Sequence, residues 1–218
     1  MKTTCLFLVP ALAVLTSCNG LFGGIYDEFD AAEKPAASSC FIARDADGKG
    51  GTLQVDVRPY TTWTFLDLHA LQADTANTAD SLASADPPFA WDIALHRWDV
   101  KTHGGSALSS NYGSVEEAVS AGTLPAEAFV ADVDSAVVVD MSTMMEGYLG
   151  YSQSMVNPVL SQWIDIDTRE MPPIYTLSGR VYIVQLTDGT RAALQFTNYM
   201  DDASRKGFAT IRYRYPLP

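Results

Sequence analysis

Apolar and polar residues alternate with a period of two in stretch after stretch of this chain, and the helical period is nearly absent. Leu53, Val55 and Val57 alternate with Thr52, Gln54 and Asp56, the pattern of a strand with one buried face. After the Arg58-Pro59 break, Trp63, Phe65 and Leu66 to Leu68 predict a second strand. The densest pattern covers residues 91–100. Trp91, Ile93 and Leu95 fall on one face, and Ala90, Ala94, Trp98 and Val100 fall on the other. A strand apolar on both faces is covered on both, so this one is expected at the centre of the fold, with Gly104-Gly105 ending it. Residues 135–141, with Val137-Val138-Val139, and residues 159–167, with Trp163, predict further strands. Residues 141–157 follow neither period.

The other segments read as connections, with one helix. Residues 70–88 are Ala, Asp, Thr and Ser ending in two prolines, and residues 104–113 are rich in Gly and Ser; both are expected to be surface loops. Ser114-Val115-Glu116-Glu117 fits a capping box and opens at most two helical turns before Gly122. Near the C-terminus, residues 180–186 and 191–199 flank Asp188-Gly189, a strong hairpin signal. Residues 208–215 alternate again. The pattern predicts an all-β, antiparallel, two-sheet sandwich-like domain ending in a three-stranded meander.

Length and charge narrow the function. A chain of 218 residues can bury one good core. Its net charge of −12 repels phosphate backbones, which makes nucleic acid a poor partner. Lys2 and the apolar run from Leu6 to Leu15, too short to span a bilayer, predict a signal peptide over residues 1–17. Leu15-Thr16-Ser17-Cys18 resembles a lipobox, with Cys18 lipidated and Asn19 pointing to the outer membrane. Residues 18–50 are expected to form the lipidated end and a tether, and residues 51–218 the domain. Only Cys40 is then left, so no internal disulfide or cysteine metal site is expected. Asp45-Ala46-Asp47-Gly48 lacks the remaining ligands of a calcium loop and reads as a solvated turn.

Catalysis has little support. No Gly-x-Ser-x-Gly elbow occurs, so no hydrolase is expected. His96 shares a strand face with Asp92 and reads as structural; His69 and His103 read as solvated strand ends. Methionine says more. Of the seven methionines, Met141, Met144, Met145 and Met155 crowd the one stretch that lacks a clear period. Gap-filling in a core is the plain explanation for any one of them.

The words Trp91-Asp92-Ile93-Ala94-Leu95-His96-Arg97 with Gly104-Gly105, then Gln195-Phe196-Thr197-Asn198-Tyr199 and Tyr213-Arg214-Tyr215-Pro216, resemble the HmuY family, haem-binding lipoproteins of Gram-negative bacteria. The resemblance covers roughly residues 52–218. It implies that haem is gripped between two axial residues. One lies after the strand matched by residues 135–141, the other between the Trp-bearing strand and the meander, and members use either two histidines or two methionines. This chain has no histidine after His103, so the resemblance implies Met145 (with Met144 as the alternative) and Met171. A thioether is a neutral, soft ligand suited to haem iron. Met171 precedes Pro172-Pro173, which stiffens its loop. Tyr148, Tyr151 and Trp163 are the expected aromatic walls. The implied function is a non-enzymatic, surface-exposed lipoprotein that captures haem and delivers it to a TonB-dependent outer-membrane haem receptor. The alternative is an adhesion module of the same fold that recognises a glycan or a protein without haem.

Overall fold

The computed structural model describes residues 40–77, 89–122, 128–169 and 172–218. Its strands in chain order are β1 (Phe41–Arg44), β2 (Gly50–Asp56), β3 (Thr62–Asp67), β4 (Gln72–Asn77), β5 (Ile93–His96), β6 (Asp99–Thr102) and β7 (Ser106–Ser109). After helix α1 (Val115–Ala121) come β8 (Val130–Ala131), β9 (Val133–Asp140), β10 (Gly150–Val156), β11 (Ile164–Asp167), β12 (Ile174–Leu177), β13 (Val181–Gln185), β14 (Arg191–Met200) and β15 (Lys206–Arg214). They form a seven-stranded sheet, β1-β2-β15-β14-β13-β7-β8, a four-stranded sheet, β4-β3-β5-β6, and two ribbons, β9–β10 and β11–β12. Every strand pair is antiparallel. The all-β sandwich with its C-terminal meander is as the sequence pattern predicts.

Side-chain alternation sets the layers. Leu53, Val55, Tyr182, Val184, Leu194, Phe196 and Ile211 of the large sheet pack against Leu66, Ile93, Leu95 and Val100 of the small one. The outer face of the small sheet carries Trp63, Phe65 and Ala94 beside Trp91, and these meet Val137 and Val156 of the β9–β10 ribbon. On the far side of the large sheet, Leu108, Val181, Ile183 and Ala193 receive Val115 and Ala118 of α1. Ribbon, small sheet, large sheet and helix thus stack in that order. The helix starts as the capping box requires, Ser114 Oγ accepting from Glu117 N at 3.1 Å, and stops at the left-handed Gly122.

Several segments differ from the sequence reading. Residues 91–100 are not one strand but a hairpin: β5 and β6 turn on Arg97, whose φ is 52°. A left-handed non-glycine costs about 1–2 kcal/mol, and here a buried guanidinium compensates. Arg97 donates to Arg58 O at 2.8 Å and lies over the Tyr60 ring at 4.2 Å. Residues 72–77, read as loop, are edge strand β4, inconspicuous because the buried apolar side chain it supplies is the small Ala73. Residues 106–109, also read as loop, pair with β13. Residues 141–157 hide β10, whose apolar side chains point both into the fold and out to solvent. Residues 160–163 are a 3₁₀ turn leading into β11, not part of a longer strand. Strand β1 lies in the stretch read as tether and pairs with β2. In the turn between them, Asp45 binds Arg212 and Asp47 binds Arg214, so those acids face cations of the chain itself. Cys40 is buried, and burial pushes its thiol up to about 11.

The outer edge of β6 is closed by a polar knot. Asn157 N donates to Val100 O at 2.7 Å, Val100 N to Ser161 Oγ at 2.9 Å, and Thr102 N to Asp132 Oδ2 at 2.6 Å. The fully buried Asn157 donates through Nδ2 to Asp132 Oδ1 and Val130 O, both at 2.9 Å, and accepts from Leu160 N at 3.0 Å. Burial pushes the Asp132 carboxyl up, opposed by the bonds from Asn157 and Thr102. Replacing Asn157 by Ala leaves the buried Leu160 N–H without its acceptor and removes the amide bonds to Asp132 Oδ1 and Val130 O. The Asn157→Ala variant is expected to lose about 2–4 kcal/mol, read in urea unfolding as a lower midpoint with an unchanged slope.

Candidate functional site

Two ribbons leave one corner, residues 157–163, which is rooted by the buried Asn157, Leu160 and Trp163. The first, β9–β10, ends at its tip in a 3₁₀ turn over Met144–Glu146. The turn holds itself: Met144 N donates to Met141 O at 3.0 Å, Gly147 N to Met144 O at 2.9 Å, and Tyr148 N to Thr143 O at 3.2 Å. Gly147 closes it at φ 88°, a left-handed value that favours glycine. Met145 is thereby carried outward and is 81 % exposed, while Met144 is half-buried.

Around that tip the surface is unusually apolar. At the tip Tyr148 is 70 % and Tyr151 59 % exposed and Leu149 is open to solvent; Met155 and Val133 are exposed at the far end of the ribbon and Val130 on β8. Among the described residues, the other large apolar side chains so exposed are Ile42, Ile174 and Met200. Exposed apolar groups that crowd one element mark a binding surface more often than scattered ones do. The inner face of the same ribbon is anchored by Val137 and Val156, so the surface is displayed on a seated element.

The second ribbon, β11–β12, runs from Ile164, paired with Leu177, to Asp167, paired with Ile174. Ser178 N donates to Trp163 O at 2.8 Å and fixes its base. At the other end Asp167 grips Arg169 through bonds of 2.5–3.1 Å, which holds that carboxyl below the usual carboxylate range. Met171 and Cys18 lie outside the described residues. Trp163 is corrected. It is fully buried, stacks on Phe196 at 4.4 Å and donates Nε1 to Trp98 O at 2.9 Å. It is a pillar beneath the corner and not a pocket wall.

The histidines lie elsewhere. His96 is buried, with Nε2 2.7 Å from Tyr60 O and Asp99 as its carboxylate neighbour at 3.5 Å. Asp92, expected beside it, instead accepts from Leu68 N and faces His69. His103 stacks on Trp91 at 4.4 Å, with Nδ1 3.0 Å from the Trp91 carbonyl. His69 is not solvated alone: Nδ1 lies 3.1 Å from Asp92 Oδ2 and Nε2 3.1 Å from Asp188 Oδ2. Asp67 also comes close, but both imidazole nitrogens are already spent on carboxylates, so the group is read as an ionic staple.

That staple ties the small sheet to the β13–β14 turn. Partial burial pulls the His69 pKa down, but bonds to Asp188 and Asp92 outweigh it and the net direction is up. Asp188 is pulled down to about 2 by the Thr190 hydroxyl and N–H and then by His69, whereas burial pushes Asp92 up. A raised histidine pKa adds stability that is complete below the ordinary value near 6.5 and is lost as pH rises through the folded value. The stability gap between parent and His69→Gln is therefore expected to shrink from pH 6 to pH 9 in chemical unfolding. An imidazole that titrates at or below the ordinary value by NMR would contradict the staple.

Comparisons with known proteins agree with this architecture. The HmuY protein family model matches residues 59–213. A structure from Bacteroides fragilis assigned as a lipoprotein is 44 % identical, covers 82 % of this chain and 95 % of its own, and superposes with a TM-score of 0.75. One from Bacteroides vulgatus, assigned as an HmuY-like haem-binding protein, is 42 % identical over 82 % of this chain and 98 % of its own, also at 0.75. The apo HmuY analogue of Tannerella forsythia is 25 % identical over 75 % and 94 %, at 0.64. No curated protein matches the chain.

Proposed function

Since the chain belongs to the HmuY family, we propose that it is a haem-capturing lipoprotein, not an enzyme, which presents haem between the tips of its two ribbons. The family is associated with haem binding. The observation that carries the reading is the tip of β9–β10: a thioether, Met145, held outward beside two exposed tyrosines on a self-bonded turn. This donor set fits the group. A porphyrin needs apolar and aromatic flanks and its iron needs a soft neutral donor, and the chain has no histidine after His103 to offer instead.

In this reading Met145 and Met171 would hold the haem iron, with Met144 as the alternative to Met145, and Tyr148 and Tyr151 would supply the apolar flanks. Two thioethers would be soft ligands that favour reduced iron. The chain's own contribution is to hold the donors ready: the Gly147 turn fixes one, and Pro172-Pro173 limits the freedom of the other, so less ordering entropy is lost on binding. Cys18 would carry acyl chains that anchor the protein at the outer membrane, from which it delivers haem to a TonB-dependent receptor. Among the described residues no helix is long and apolar enough to cross a membrane.

Haem titration under reducing conditions tests the ligands. Met171→Ala and Met145→Ala are expected to weaken ferrous haem binding by about tenfold or more relative to Met200→Ala, the control for general methionine loss. Tyr148→Ala should weaken binding while changing stability by no more than about 0.5 kcal/mol, since its ring is exposed. Thioethers do not titrate, so parent affinity should persist from pH 7.5 down to about 5.5, through the range where histidine protonates. Equal affinity of Met171→Ala and the parent would refute the pair. A parent that binds haem in neither redox state would favour the adhesion module recognising a glycan or protein.

The anchor has its own test. Two or more acyl chains on one residue give stable attachment, whereas one gives marginal binding. Cys18→Ala is expected to move the protein from the membrane pellet to the soluble fraction. A variant that stays in the pellet after a salt wash would rule out Cys18 as the anchor.

A further inference from the structure

We propose that Met145 is a modification site, where hydrogen peroxide converts the thioether to a sulfoxide and thereby switches haem binding off, a consequence that rests on the haem reading above.

Exposure decides which methionine reacts. Met145 is 81 % exposed, against 44 % for Met155 and 36 % for Met200, and Met141 and Met144 are half-buried. Peroxide must reach the sulfur, so oxidation follows access. Thiols are the usual competitors. Cys40, the one cysteine among the described residues, is buried, and burial pushes its thiol up to about 11. A thiol that stays protonated is a poor nucleophile toward peroxide. Among the described residues, the sulfur left to react first is the one held out at the ribbon tip.

In the step itself, an Sδ lone pair attacks one peroxide oxygen. An S–O bond forms as the O–O bond breaks, and the sulfur gives up an electron pair. The departing hydroxide takes the proton of the new S–OH group and leaves as water. Return needs a dithiol reductant, which a methionine sulfoxide reductase uses to release water and a disulfide.

The turn tolerates the change. Glu146 N donates to Thr143 O and Gly147 N to Met144 O, both at 2.9 Å, and the Thr143 hydroxyl donates to Tyr148 O at 3.3 Å. None of these bonds involves the Met145 side chain, and a sulfoxide at such an exposed position stays in water. It presents a hard, polar oxygen beside the sulfur and so loses the match to ferrous iron. Binding changes while the fold does not.

Treating the full chain with dilute hydrogen peroxide, and following each methionine by peptide mass spectrometry, tests the order of reaction. Met145 is expected to react at least about threefold faster than Met155 or Met200. Stopped once Met145 is oxidised, the protein should melt as before and bind ferrous haem about tenfold more weakly. A methionine sulfoxide reductase supplied with a dithiol should restore the affinity. The same treatment of Met145→Leu should weaken its binding no further, which separates Met145 from Met171. Met155 or Met200 reacting as fast as Met145, an oxidised parent with undiminished affinity, or a treated Met145→Leu that weakens as the parent does would each overturn the assignment alone. An untreated parent that binds no haem would overturn the haem reading and the switch together.

Discussion

The structure depends on how one strand edge is closed. β6 ends the four-stranded sheet, and its outward N–H and C=O groups at Val100 and Thr102 would otherwise face solvent or another chain. Among the described residues no strand pairs with that edge. Asn157, Ser161 and Asp132 do, one bond at a time, so the edge is satisfied without extending the sheet. The polypeptide that supplies Asn157 and Ser161 is also the corner from which both ribbons leave. Edge protection and presentation of the candidate site are therefore one piece of backbone. A loosened edge would release both ribbons from their common base.

A second consequence concerns the hairpin under that corner. β5 lies inside the small sheet with Ile93 and Leu95 toward the large sheet and Ala94 toward the β9–β10 ribbon. The same few residues thus support the main core and the layer that carries the exposed methionine and tyrosines. Trp163, stacked on Phe196 and bonded to Trp98 O, connects the second ribbon to that core in a comparable way.

Legibility in the sequence followed local chemistry. Asp188-Gly189 between alternating runs yields β13 and β14, and Ser114 with Glu117 yields the helix start, because each signal is complete within a few residues. Strands β4 and β7 carry little signal because the buried apolar side chains described in them are few, Ala73 in one and Ala107 with Leu108 in the other; pairing with β3 and β13 makes them strands. The hairpin within residues 91–100 was hidden because a turn on Arg97 has no glycine to mark it, and its stabilisation comes from the carbonyls of Val57 and Arg58, about 40 positions away. The candidate ligands were reached through family resemblance, since periodicity alone assigns Met144 and Met145 to nothing. Trp163 was misplaced as a wall because an aromatic residue near a presumed pocket looks the same in sequence whether it faces the pocket or the core.

The layering of the β9–β10 ribbon has a dynamic side. It is two strands wide and rests on a small apolar cluster built on Trp63, Phe65 and Trp91, apart from the main core. Such a unit can open by itself at a free energy well below that of global unfolding. Its amides would exchange through that local opening while the large sheet stays protected. An arm seated on its own small cluster, and joined to a corner bonded into the sheet edge, can loosen without melting the sandwich beneath it.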